Sequence, residues 1–187
     1  MDKITSAKST LFIIIVWVIL FLINQKINII PILCGKGINI ITGEYYRFIT
    51  GAMLHNNFIH LLANCLALYW IGYYLEKSIG SGKFLAFGTI GCILSEVIFL
   101  SIYNKADNSI GGSIFIFVFI GVILTFQFLK PEFKRFKLRT WYGNWILIYG
   151  IISNSPILPF INITTIVIHA ISFSVGILVG TLFSFMI

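Results

Sequence analysis

The residues of this 187-residue chain best suited to chemistry are Ser113, His169, His60 and Asn64. A serine hydroxyl attacks a carbonyl when a base within hydrogen-bond reach takes its proton, and His169 is such a base. The tetrahedral intermediate then needs donors aimed where oxyanion charge develops. His60 and Asn64 stand at i and i+4, so one face of one helix presents both. A Ser–His pair without an acid suffices in principle, because the acid chiefly orients the histidine. Together the four residues offer acyl transfer. Each also has a plainer reading: a serine in an apolar helix often bonds its own backbone, and Asn64 alone would serve as glue between helices. Zinc binding by His55, His60 and His169 is disfavoured, since His55 and His60 are five residues apart and no acidic ligand is near. Neither a metal nor a cofactor is expected.

The elements that position these residues are membrane helices. The chain is 58% hydrophobic and 10% charged, with a mean hydropathy of +0.98. A soluble domain carries about 25% charged residues, so composition alone places this one in a bilayer. Apolar runs predict six spans, at roughly 8–25, 57–75, 84–103, 111–129, 143–160 and 163–186. The run from Thr10 to Ile23 lacks a following small-x-small site and reads as a first helix, not a removed leader. Ser153, Asn154, Pro156 and Pro159 interrupt the fifth span. The stretch from Lys26 to Asn56 is too broken by Pro31, Gly35, Gly37 and Gly43 to span, yet too apolar to be freely hydrated. A partly embedded first loop is expected there.

The net charge of +7 does not imply a nucleic-acid partner. Lys130, Lys134, Arg135, Lys137 and Arg139 crowd one loop between apolar runs, the pattern of a cytoplasmic loop. With both termini inside, Lys3, Lys8, Lys77 and Lys83 join them, nine basic residues against Lys26, Lys36, Arg47 and Lys105 outside. On this topology His60, Asn64, Ser113 and His169 fall in the outer third of the membrane. Intramembrane polar groups usually face the bundle interior, so three separate regions deliver them to one level. Cys34, Cys65 and Cys92 form no metal pattern and read as small buried hydrophobes. Glu96, in the third span, reads as structural.

At these residues the sequence resembles the rhomboid family of intramembrane serine proteases. His55-Asn-Asn-Phe-Ile-His60-Leu-Leu-Ala-Asn64 has the family's H-x4-H-x3-N spacing. Glu44-Tyr45-Tyr46-Arg47 resembles its E-x-W-R element, with Tyr46 in place of tryptophan. Gly72, Glu76 and Gly80 resemble G-x3-E-x3-G, and Ser109-Ile-Gly111-Gly-Ser113 resembles the approach to the nucleophile. Gly121 follows Ser113 by eight residues, and His169 with Gly176 resembles H-x6-G. The resemblance covers roughly residues 43–187 and implies an all-α, six-helix rhomboid-like bundle forming one domain over residues 1–187. It further implies Ser113 as nucleophile and His169 as general base. Asn64, His60 and the Ser113 N–H would line the oxyanion hole, Phe117 would stack on His169, and His55 would tether the first loop. Gly121 would let the fourth and sixth spans approach. Partners would be the lipid bilayer and transmembrane protein substrates, cut near their outer ends. A mobile gate is expected around 143–162. The compact form points to a bacterial plasma membrane. Three positions depart from the pattern: Ile114 and Ser172 replace glycines, and Ile168 replaces an alanine. Ile114 would crowd the cavity, and Ile168 and Ser172 would lengthen the Ser113–His169 contact. The alternative reading is an inactive rhomboid-like protein that binds membrane helices.

Overall fold

In the computed structural model residues 7–103, 109–156 and 161–185 are described, so Lys3, Lys105 and Pro159 lie outside them. The described residues are predominantly helical. The chain begins with α1 (Lys8–Asn24). Three short helices follow in the first loop: α2 (Ile30–Leu33), α3 (Gly37–Ile41) and α4 (Arg47–Thr50). The longer helices are α5 (Phe58–Ile79), α6 (Ser81–Ile102), α7 (Ser113–Leu129), α8 (Trp141–Ile152) and α9 (Ile163–Ser184). By length and composition, α5, α6 and α9 are able to cross a membrane, while α1 and α7 are shorter apolar helices of 17 residues each.

Helix α7 is the centre of the bundle. Most of its first turns are buried on every side, including Ile116, Val118 and Phe119, each 0% exposed. A helix apolar all round belongs inside, enclosed by others. Phe119 stacks on Phe84 of α6, ring centres 4.1 Å apart. Backbone contact with α9 runs through Gly121 and Gly176: a Cβ at Gly121 would meet the Phe173 carbonyl, and one at Gly176 the Val118 carbonyl. Small residues at such crossings bring helix backbones together.

Helix α8 falls short of the expected 143–160 span. It ends at Ile152 because Pro156 bars continuation, and Ser153 and Asn154 bond back to Tyr149 and Gly150 carbonyls. It packs mainly on α5. Towards α7 and α9 it leaves an apolar groove of about 350 Å³ whose walls include Phe117, Phe173 and Ile151.

The far end of α5 opens into a π-helical turn, Gly72–Glu76. There the buried Glu76 carboxylate receives the Ser9 and Thr10 backbone N–H groups at 2.8 and 2.9 Å. The Thr10 and Ser81 hydroxyls add bonds of 2.6 and 2.5 Å. A carboxylate at a helix N-terminus meets both orphan donors and the positive end of the dipole. Glu76→Ala strands these donors and is expected to cost about 2–4 kcal/mol. Glu76→Gln, which keeps an acceptor, should cost less; thermal unfolding in micelles of both variants checks the order.

The first loop is pinned from within. Buried Arg47 donates to the Pro31 and Cys34 carbonyls at 3.1 and 2.9 Å and pairs with Glu44 at 2.5 Å. Hydrogen bonding to that guanidinium holds the Glu44 carboxyl below the usual carboxylate range. A two-stranded bridge joins Gly35 to Ser109, and the Gly111 N–H donates to the Gly51 carbonyl at 3.1 Å. Glu96 of α6 accepts from the Ser109 hydroxyl at 2.5 Å. The loop and Glu96 thereby fix the segment that leads into Ser113.

Candidate active site

Ser113 opens α7 and is 8% exposed. The turn before it depends on Gly111, whose φ of +134° lies in the region other residues rarely adopt. A methyl there would also sit 2.7 Å from His60 Cε1. Gly112 lies against Trp17, whose indole ring would overlap any Cβ. The two glycines thus lead the backbone between two rings and deliver Ser113 to the helix start.

His169 sits two turns into α9 and is 3% exposed. Its Nε2 is 3.0 Å from Ser113 Oγ. Phe117, one turn after Ser113, stacks on the imidazole at 4.3 Å and 22°. The lengthening expected from Ile168 and Ser172 is absent. Ser172 turns its hydroxyl onto its own helix, donating to the Ile168 carbonyl at 2.7 Å, and Gly121–Gly176 sets the backbone approach. Ile114, next to the serine, stands on a different face of α7. It is 3% exposed within the hydrophobic core, because adjacent helix positions point about 100° apart.

Across from the pair lie His55, His60 and Asn64. Asn57 caps α5, its side chain accepting from the His60 N–H at 2.8 Å. The Asn64 amide is fixed at both ends: Tyr149 of α8 donates its hydroxyl to Oδ1 at 2.6 Å, and Nδ2 donates to His55 Nε2 at 2.9 Å. One Nδ2 hydrogen remains for another acceptor. His55 is 1% exposed, packs edge-on against Trp17 and His60, and receives the Gly112 N–H at 3.4 Å. It therefore joins α1, α5 and the turn before Ser113.

Of the residues singled out by sequence, Ser113, His169, Phe117, Gly111, His60, Asn64 and His55 form one cluster. Gly121 and Gly176 form the helix crossing below it. Arg47 and Glu76 lie apart, one in the loop and one at the opposite end of α5. Sequence reasoning missed Asn154, whose Oδ1 is 3.0 Å from His169 Nδ1, along with Tyr149 and Trp17. Asn154 reads in sequence as a helix interrupter. Its polarity beside an apolar run was the available signal. Among the described residues no group of three or more His, Cys, Asp or Glu side chains is arranged to hold a metal.

The arrangement is able to deprotonate a hydroxyl, hold the resulting acyl group and present an amide donor to an oxyanion. Comparison with known proteins agrees in kind. The family model described as the Rhomboid domain matches residues 42–187. Over 110 residues, 57% of this chain, the sequence is 36% identical to Rhomboid protease GluP of Bacillus subtilis (strain 168), covering 20% of that protein. Over 84 residues, 44% of this chain, it is 32% identical to Rhomboid protease AarA of Providencia stuartii, covering 30%. The aligned stretch is thus less than a third of either relative.

Proposed function

The chain belongs to the rhomboid family and is an integral membrane protein, and on that premise we propose that it is an intramembrane serine protease working through a Ser113–His169 dyad. The observation that carries the proposal is the 3.0 Å contact between His169 Nε2 and Ser113 Oγ in a buried setting. Names of the two relatives, both rhomboid proteases, support the same class.

In the proposed reaction, Ser113 Oγ attacks the carbonyl carbon of a substrate peptide bond while His169 Nε2 takes the hydroxyl proton. The oxyanion is met by the second Asn64 amide hydrogen, by His60 and by the Ser113 backbone N–H, which as the first residue of a helix has no intrahelical acceptor. Collapse expels the amine, which takes the proton from His169. Water, deprotonated by His169, then releases the acyl group from Ser113 and restores the hydroxyl.

The substrates of this reading are transmembrane helices cut near the outer membrane face, where helix-breaking residues bare the peptide bond. Its topology is one six-span domain over residues 1–187, with both termini cytoplasmic, the first loop partly embedded and a bacterial plasma membrane as host. Exposed Ile27, Ile32, Ile38, Ile41 and Tyr45 on the first loop support the embedding. The gate of this reading lies around 143–162, of which residues 157–160 lie outside the described ones, and α8 at its start is held chiefly by α5.

A fluorophosphonate probe tests the dyad most directly. Wild-type protein in micelles should label covalently, and Ser113→Ala should not. A folded wild type that refuses the probe, while still capturing membrane helices, would favour the inactive helix-binding alternative.

A further inference from the structure

We propose that Asn154 is a positioning residue for the proposed protease: its side-chain carbonyl sets the His169 tautomer and so ties catalytic competence to the closed placement of the α8 end. The inference rests on the dyad reading above and adds a third member from a different element.

The argument is one of hydrogen-bond directions. Asn154 Nδ2 lies 2.8 Å from the Gly150 carbonyl. A carbonyl only accepts, so the NH2 group must face Gly150. The amide oxygen is thereby left facing His169 Nδ1 at 3.0 Å. An amide oxygen also only accepts, so Nδ1 must carry the imidazole proton. Nε2, left with its lone pair, is the nitrogen 3.0 Å from Ser113 Oγ. The turn that follows α8 thus dictates which nitrogen is the base. A histidine with the opposite tautomer would present N–H to the serine and accept nothing.

The same helix end holds the other side of the cavity. Tyr149 donates to Asn64 Oδ1 at 2.6 Å, which turns the Asn64 NH2 away from α8. Both fixtures leave together if α8 moves outward. An open gate therefore has an untuned base and a loosened oxyanion donor, and closure restores both.

The test compares wild type, Asn154→Leu and Asn154→Asp, each full-length in micelles. Leucine keeps the branched shape and removes the acceptor, while aspartate restores an acceptor. Asn154→Leu should lower kcat about 10- to 100-fold with KM within about twofold, and Asn154→Asp should recover much of the loss. Fluorophosphonate labelling should slow in parallel, since it needs the base but no substrate helix. Histidine ¹⁵N spectra give a readout independent of turnover: wild type should show His169 protonated at Nδ1, and Asn154→Leu a mixture. Unchanged kcat in Asn154→Leu, a loss that appears in KM alone, a failure of aspartate to rescue, or a wild-type tautomer protonated at Nε2 each overturns the role. A wild type that neither cleaves nor labels overturns the dyad reading, and the tautomer spectra then decide the positioning claim by themselves.

Discussion

Purified Ser113→Ala protein is expected to cleave a transmembrane substrate at the background rate, and His169→Ala likewise, with both variants still folded. The size of the loss follows from what each residue does. Without Oγ there is no acyl intermediate, and removing the nucleophile of a serine protease costs on the order of 10⁶ in kcat. Without Nε2 the hydroxyl has no base 3.0 Å away, and a serine at its ordinary acidity is a poor nucleophile. Because the two act as a unit, the double variant should be no slower than either single one. Stability should hardly follow activity. Alanine is the best helix former, and Ser113→Ala removes one hydrogen bond worth about 1 kcal/mol. His169→Ala is harsher, since it leaves a void against Phe117, stacked at 4.3 Å, and frees Asn154. Its unfolding temperature should drop while that of Ser113→Ala holds. Wild-type cleavage in either folded variant would remove the dyad from consideration.

What the sequence made visible was the set of polar groups that a bilayer tolerates only for a reason. Ser113, His169, His60 and Asn64 stood out because apolar runs surround them, and charge asymmetry put them at one depth. Helix α7 was legible for the same cause: a run apolar on all faces has to be enclosed. Contacts between distant segments were not legible. Glu76 was singled out by spacing, but its role requires Ser9 and Thr10, 67 and 66 residues away. Tyr149 reaches Asn64 across 85 residues, and a tyrosine near a helix end looks ordinary in sequence. Asn154 was seen and misread. An asparagine beyond a helix end has a sufficient local explanation, and only the fold brings α9 within reach of its carbonyl.

Widening Gly121 or Gly176 should cost much of the activity, though neither residue touches a reacting atom. The Gly121 Cβ would run into the Phe173 carbonyl and lie 2.8 Å from the Ile177 nitrogen. At Gly176 it would run into the Val118 carbonyl, with the carbonyl carbon 2.8 Å away. These are backbone atoms, so no side-chain rotation relieves the clash and the helices must part. Overpacking of this kind costs about 1–3 kcal/mol. The catalytic loss should be larger in proportion. Ser113 and His169 sit on the two helices that separate, one turn or two above the crossing, and a displacement of about 1 Å can cost about 100-fold in rate. Gly121→Val is therefore expected to lower cleavage at least about 100-fold and to depress the unfolding temperature, with Gly176→Val similar. The comparison is Gly82→Ala, in the exposed first turn of α6, where a Cβ meets nothing within 4 Å. A helical glycine without neighbours gains from a methyl, so that variant should match or exceed wild-type stability by up to about 1 kcal/mol and cleave normally. Cleavage rates and thermal unfolding measured on the same micelle preparations separate the cases. If Gly121→Val kept wild-type turnover, the α7–α9 crossing would not be what holds the base against the serine, and the short contact would have to be credited to Phe117 and Asn154 instead.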